Sequence, residues 1–116
     1  MQFDQYTIAL LVTGANAPEL SAAGAAELQN EHMSHLADLH EAGHLLAAGP
    51  VDGGEVRGLS ILSVAPDRAL ELKRADPAVR AGVFDVRMLS WRTPAGLVSF
   101  SPGRLPRSIA EARGTQ

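Results

Sequence analysis

The spacing of hydrophobic and polar residues predicts alternating strands and helices. Residues 6–12 are apolar and β-branched with no helical period, and Gly14 and Asn16 follow them, which is typical of a buried strand. Residues 18–42 begin with a proline, are rich in alanine, leucine and glutamate, and precede Gly43. This composition predicts a long helix after the first strand.

The rest of the chain predicts a hairpin, a second helix and a last strand. Two short apolar strands over residues 44–48 and 56–64 flank a turn-rich Asp-Gly-Gly-Glu segment. A shorter amphipathic helix over residues 66–75 leads to a turn or short helix that ends at Gly82, and residues 83–91 alternate as a fourth strand. This order is the split βαβ pattern of ferredoxin-like α+β folds, in which two helices cover one face of a four-stranded antiparallel sheet.

The length of 116 residues fits one domain. We predict that residues 1–91 form this domain. Residues 92–116 are rich in proline, glycine, serine and arginine, and we expect a tail that docks on the body or on a partner subunit.

The sheet face opposite the helices is also predicted to be apolar. In the first strand, Ile8 and Leu10 alternate with Ala9 and Leu11, so both faces carry hydrophobic side chains. A second subunit stacked sheet on sheet would bury the uncovered face. We therefore expect a homodimer, and the alternative is that the tail folds back over this face.

Charge and composition limit which binding partners and which cellular compartment we expect. The formal net charge is −3 and the basic residues are scattered, so we expect no nucleic-acid partner. The absence of cysteine excludes disulfides and thiolate chemistry and is compatible with a reducing cytoplasm. The apolar run over residues 8–12 is too short to span a bilayer or to act as a signal segment. We expect a cytoplasmic protein with no membrane partner.

The most informative segment is HLADLHEAGHLLAAGP, residues 35–50, because it places an imidazole within an apolar helical stripe. At about 100° per residue, His35 projects between Leu39 and Ala42. Its ring is therefore expected to point at the sheet and away from bulk water.

Three segments in order resemble the YCII-related family: residues 35–50, GLSI at residues 58–61 and DPAVRAGVF at residues 76–84. The resemblance extends over residues 5–91. It implies a ferredoxin-like subunit, a dimer built as an α/β barrel related to muconolactone isomerase-like proteins, and a histidine–aspartate pair in a pocket beside the sheet. In this sequence the implied pair is His35 and Asp76.

Such a pair suits general acid–base catalysis, because the carboxylate orients the imidazole and favours its charged form while burial opposes the charge. The structural alternative is that His35 is a satisfied core histidine and Asp76 caps a turn. We expect Ser60, His32 and Trp91 to contact the substrate. Their alternatives are a strand serine with a local partner, an exposed helix histidine and a core aromatic residue.

Residues 40–44 match the H-E-x-x-H string of zinc proteases. Zinc-protease chemistry requires both histidines on one helical face. The glycine that precedes His44 is expected to end the helix, so we exclude a zinc-protease site. We expect no bound metal. A site made by His32, His35 and a carboxylate such as Asp76 is the metal-binding alternative.

These features predict a cofactor-independent enzyme that isomerises, or eliminates a group from, a small organic acid, lactone or hydroxylated ring. A lyase or dehalogenase type of reaction fits, because the sequence carries no nucleophilic cysteine, flavin motif or dinucleotide fingerprint. The alternatives are a non-catalytic dimeric module that binds a small ligand and a structural accessory subunit.

Overall fold

Strands and helices follow one another in ferredoxin-like order in the computed structural model, which describes residues 1–114. The elements are β1 (Phe3–Thr13), α1 (Ala22–Glu41), β2 (Leu45–Pro50), β3 (Val56–Leu62), α2 (Pro66–Arg74), α3 (Pro77–Arg80), β4 (Phe84–Pro94) and α4 (Ile109–Gly114). The predicted βαββαβ order is confirmed.

The four strands form one antiparallel sheet in the order β2-β3-β1-β4. At its centre, Ile8 of β1 pairs with Ile61 of β3 on one side and with Leu89 of β4 on the other. Because side chains alternate across a sheet, these three residues share one face. The helices lie on the opposite face, where α2 contacts β1 and β4 and α1 contacts β2.

The central strand β1 and the edge strand β4 are both longer than predicted. β1 and β4 pair along their whole length, from Phe3 opposite Pro94 to Thr13 opposite Phe84. The sheet includes polar residues beyond the apolar run, because backbone hydrogen bonds continue the ladder whatever the side chain.

Helix α1 begins later than its composition suggested. Ser21 is its N-cap, and the Ser21 hydroxyl accepts a hydrogen bond from the amide of Gly24 at 3.0 Å. The helix ends at Glu41, and Gly43 follows with φ of 83°, a backbone conformation that favours glycine. No helix within residues 1–114 is both long enough and apolar enough to cross a membrane.

The core lies between the helices and the sheet. Its buried side chains come from β1, α1, β2, β3 and α2, in that order: Ala9, Leu39, Leu45, Leu62 and Ala69. Removing these side chains from water is the main favourable contribution to folding. Around this core pack partly buried residues that include Leu36 of α1 and Leu105 of the tail.

One glycine is required by close packing between loops. A Cβ on Gly14, after β1, would lie 2.0 Å from the carbonyl oxygen of Gly82, before β4. The amide of Gly14 also donates to the carbonyl of Val83 at 2.9 Å. This contact ties the loop before α1 to the segment that follows α3.

The C-terminal tail docks on the body of its own chain. The ring of Phe100 contacts the ring of Tyr6 edge-on, with the centroids 5.4 Å apart. Further along, Arg107 forms ion pairs with Asp38 at 2.9 Å and with Glu41 at 2.6 Å, both on α1. The tail begins after Pro94, where β4 ends, and α4 lies against α1, so the last segment follows the helix layer.

Candidate active site

His32 of α1 and Asp76 form a buried hydrogen-bonded pair. The distance from Nδ1 of His32 to Oδ2 of Asp76 is 2.6 Å, and the two side chains are 9% and 0% exposed. An ionised carboxylate only accepts hydrogen bonds, so Nδ1 carries a proton. No hydrogen bond to Nε2 of His32 is formed by residues 1–114. In the neutral ring Nε2 therefore holds a lone pair that is available to a ligand.

The local fold fixes the carboxylate of Asp76. Asp76 is the N-cap of α3, where Oδ1 accepts a hydrogen bond from the amide of Ala78 at 2.8 Å and Pro77 occupies the first helical position. Since α1 and α3 pack together, the other oxygen, Oδ2, meets His32. The residue thus caps a turn and also orients an imidazole, two roles that the sequence left as alternatives.

The structure corrects the predicted partner of Asp76. His35 lies further along α1, and its Nε2 donates to the carbonyl oxygen of Leu72 in α2 at 3.0 Å. It is half-buried, and it does not line the cavity described below. Residues three apart are about 60° apart around a helix, so helical periodicity alone did not distinguish the two rings. The position of α3 decides that His32 meets the carboxylate.

A cavity of about 510 Å³ lies between α1, the sheet and the tail, and His32 lines it. The polar residues of its lining, besides His32, are Gln29, Arg57 and Ser60. Its apolar lining includes Leu11, Met33, Leu36 and Phe84, and the ring of Phe84 lies 5.8 Å from the ring of His32. Such a largely apolar cavity with a few polar groups is typical of a small-molecule site.

Part of the cavity wall comes from the tail. Leu105, Pro106 and Ala112 all line it. The sequence predicted a docking tail but did not predict that the tail lines the cavity. The tail has no regular hydrophobic pattern from which its contact with α1 could be inferred.

Ser60, which we expected to contact the substrate, lines the cavity and bonds to a buried lysine. Nζ of Lys73, on α2, donates to Oγ of Ser60 at 2.7 Å, and Lys73 is 0% exposed. Burial lowers the pKa of Lys73 to about 8, and the charge of Asp76 acts in the opposite direction by raising it.

Sequence reasoning missed Lys73. Its position fits the polar side of a short amphipathic helix, where a lysine ordinarily stays in water. One signal was available, since Lys73 is the only lysine in a sequence whose other strongly basic side chains are all arginine.

Trp91 lies away from this cavity. Its ring packs 5.8 Å from that of Tyr6 on the sheet face opposite the helices, and it lines a second cavity of about 350 Å³. The alternation along β4 directs Met88 to the core side and Trp91 to the other side. The structure therefore separates Trp91 from Ser60 and His32, with which the sequence had grouped it.

The zinc-protease string does not form its helical site. His44 lies beyond the end of α1, and the two ring nitrogens of His40 contact the carbonyl oxygens of Leu45 at 2.8 Å and Gly103 at 2.5 Å. Over residues 1–114, no group of three or more histidine, cysteine, aspartate or glutamate side chains is placed to hold a metal ion. Of the alternative metal set, only His32 and Asp76 meet, because His35 bonds to Leu72.

Comparisons with known proteins bear on the family of this chain. No curated protein sequence matches it. A similar solved structure is the 5-chloro-2-hydroxyhydroquinone dehydrochlorinase from Burkholderia phenoliruptrix AC1100 in complex with 2,5-dihydroxybenzoquinone, with 17% identity and a TM-score of 0.47 over 78% of this chain and 95% of that chain. The family model described as the YCII-related domain matches residues 9–92, which is more than half of the chain. The chain therefore belongs to the YCII-related domain family.

Proposed function

We propose that this protein is a cofactor-independent enzyme in which His32, held by Asp76, transfers a proton on a small organic acid, lactone or hydroxylated ring. One observation carries the proposal: the 2.6 Å bond of the buried pair orients an imidazole that lines a cavity of about 510 Å³. Asp76 fixes the tautomer in which Nδ1 carries a proton, and Nε2 acts as the base.

The proposed step needs only the imidazole. Nε2 takes a proton from a carbon or oxygen of the substrate, and the resulting imidazolium is stabilised by the negative charge of Asp76. Returning the proton to another atom of the substrate completes an isomerisation. If instead the electron pair left behind expels a neighbouring group, the reaction is an elimination, and the imidazolium protonates the product or loses its proton to water.

The walls of the cavity support this chemistry. Apolar side chains such as Leu36 and Phe84 exclude water from the ligand, which strengthens electrostatic interactions within the cavity. Gln29 and Ser60 supply hydrogen-bonding groups that orient a ligand.

The second candidate function is non-catalytic binding of a small ligand. It is favoured by the same cavity, because an apolar volume with a few polar groups binds a ligand whether or not a proton is transferred. In that case His32 serves as a hydrogen-bonding group only.

Proton exchange in deuterium oxide tests the proposal without knowledge of the full reaction. Small keto acids, lactones and hydroxylated rings are incubated with the protein, and NMR follows the replacement of carbon-bound hydrogen by deuterium. We expect catalysed exchange on at least one of these compounds and a loss of about 100-fold or more in His32→Gln. Asp76→Asn should also slow the exchange, since an amide does not stabilise the imidazolium.

His35→Gln is the matched control, because glutamine still donates to the Leu72 carbonyl and the residue lies outside the cavity. It should retain the exchange rate of the parent. A loss of exchange in His35→Gln with a normal rate in His32→Gln would overturn the assignment. Tight binding of a compound without any exchange would favour the binding module.

We also propose that the protein acts as a homodimer in the cytoplasm. The sheet face opposite the helices supports the dimer, because Ile8, Ile61 and Leu89 lie side by side on it and Leu89 is 49% exposed. The absence of cysteine supports a reducing compartment.

A further inference from the structure

Lys73 is a buried cation beside the cavity that the proposed proton transfer does not use. It is fully buried on α2, and Nζ donates to Ser60 at 2.7 Å. Burying an ammonium group is unfavourable unless charged or polar partners compensate for the lost water. The burial of Lys73 next to Ser60 therefore indicates that its positive charge has a role in the cavity that Ser60 lines.

The hydrogen bond between Lys73 and Ser60 has only one possible direction. A protonated lysine has no acceptor, so the ammonium donates and Oγ of Ser60 accepts. The hydroxyl proton of Ser60 is then free to be donated to another group. Since Ser60 lines the cavity, its hydroxyl is placed to donate to an acceptor on a ligand in the cavity.

The charged residues that line the cavity are basic. Arg57 lines the cavity, and His32 becomes positive when it takes a proton. No aspartate or glutamate belongs to the cavity lining formed by residues 1–114. The nearby carboxylate of Asp76 is engaged by His32 and by the amide of Ala78. The cavity therefore favours a ligand with negative charge.

We propose that Ser60 and Lys73 form an oxyanion-binding subsite, so that the ligand of this cavity is a small molecule with an apolar body and an ionised oxygen. The Ser60 hydroxyl donates to that oxygen, and Lys73 positions the hydroxyl and supplies positive charge behind it. Carboxylate, phenolate and enolate oxygens share this chemistry. The inference deepens the proposed function, because an enolate oxygen gains charge when His32 removes a proton from the neighbouring carbon.

Paired probes of similar shape, one anionic and one neutral, test the subsite. Benzoate is compared with benzamide, and 4-nitrophenolate with 4-nitroanisole, by NMR titration at a pH where both anions are ionised and Lys73 is still protonated. We expect at least one anion to bind about 10-fold or more tightly than its neutral twin. The pair that shows the preference tells whether a carboxylate or a phenolate oxygen is the better match.

Substitutions locate the source of that preference. Lys73→Met keeps the length of the side chain without its charge, and Ser60→Ala removes the hydroxyl, so both should reduce the preference to about 2-fold or less. Arg74→Met is the matched control, since Arg74 is an exposed neighbour on the same helix. The proposal is overturned if neither anion binds more tightly than its twin. It is equally overturned if the preference persists in both variants and disappears only in Arg57→Met.

A measurement on the parent protein avoids any effect of the substitutions on folding. Because the chain has one lysine, ¹⁵N-lysine labelling gives a single side-chain ammonium signal, whose pH titration reports the pKa of Lys73. The groups that face Lys73 are Ser60 of β3, which is neutral, and Asp76 at the start of α3, to which His32 of α1 is bonded. A bound anion should raise this pKa from about 8, because nearby negative charge favours the ammonium form. A bound anion that leaves the pKa unchanged contradicts the proposal.

The two proposals can fail separately. His32→Gln should retain the preference for anions while it loses proton exchange, because its Ser60 and Lys73 are intact. Exchange by the parent without any preference for anions would remove the oxyanion subsite and leave the proposed function. A preference for anions without exchange on any compound would remove the proposed function and leave the oxyanion subsite.

Discussion

Three ionisable residues from three parts of the chain meet at the site. His32 is bonded to Asp76, and the charge of Asp76 acts on Lys73, so one carboxylate influences two basic groups. For Lys73, the carboxylate favours the ammonium form and burial opposes it. Removing the carboxylate of Asp76 is therefore expected to affect both His32 and Lys73.

The buried lysine predicts how stability changes with pH. Its pKa is about 8 in the folded protein, below the ordinary lysine value of 10.5 that applies to the unfolded chain. The unfolded chain therefore binds this proton more tightly, and the free energy of unfolding should rise as the pH increases from about 8 toward 10.5. At about 1.4 kcal/mol per pH unit, the rise between about pH 7 and about pH 9.5 is roughly 2 kcal/mol.

Urea unfolding at these two pH values measures the effect. Lys73→Met should lack this rise, because the titrating group is gone, whereas Arg74→Met should show the same rise as the parent. A stability that falls over this range in the parent but not in Lys73→Met would mean that burial does not dominate the energetics of this lysine.

At the scale of elements, α1 carries three histidines, each with different partners. His32 meets a carboxylate, His35 bonds to the Leu72 carbonyl, and His40 contacts carbonyl groups of Leu45 and Gly103. One helix thus connects with α2, with β2, with the tail and with the N-cap of α3. Only the His32 ring lines the cavity of about 510 Å³.

The tail is predicted to contribute to stability through Leu105. This side chain packs on the core and lines the cavity, so Leu105→Ala should lower the free energy of unfolding by about 1–2 kcal/mol, less than for a fully buried leucine. Arg104→Ala is the adjacent control, because Arg104 is 83% exposed and forms a surface ion pair with Glu111. Its effect should stay within about 0.5 kcal/mol.

Thermal or urea unfolding of the two variants distinguishes a docked tail from a loosely attached one. Equal and negligible effects would show that the tail does not pack on the body in solution. A loss in Leu105→Ala alone would support the contact between the tail and the helix layer.

At the scale of the whole molecule, one face of the sheet is covered by helices and the other is only partly covered by residues 1–114. Phe100 contacts Tyr6 on the second face, while the neighbouring side chain of Leu89 remains 49% exposed. The hydrophobic residues on this face come from three adjacent strands: Tyr6, Ile8, Leu10, Leu59, Ile61, Leu89 and Trp91. An apolar area of this kind is typical of an interface between subunits.

Light scattering coupled to size-exclusion chromatography tests the proposed dimer. We expect the parent to elute with the mass of two chains and Leu89→Arg to elute as a monomer, because the charge would be buried at the interface without a partner. Leu20→Arg is the control, since Leu20 is 45% exposed but precedes α1, away from this face. A monomeric parent at about 0.1 mM would refute the dimer.

The order of elements in the fold could be predicted from the sequence because each element is specified by a local sequence pattern. The apolar run in β1, the long helical segment before Gly43 and the alternation in β4 each specify an element without reference to the rest of the chain. The full lengths of β1 and β4 and the presence of α4 were not predicted, since ladder pairing and the contact between α4 and α1 are long-range interactions.

The sequence by itself determined the order of elements, the apolar character of both sheet faces and the end of α1 near Gly43. Only the tertiary structure decided that His32 is the partner of Asp76, that Lys73 is buried against Ser60, and that Trp91 lies on the far face. The reason is geometric. Neighbouring positions on one helical face look alike in sequence, and the packing of α2 and α3 against α1 and the sheet selects which side chain meets which partner.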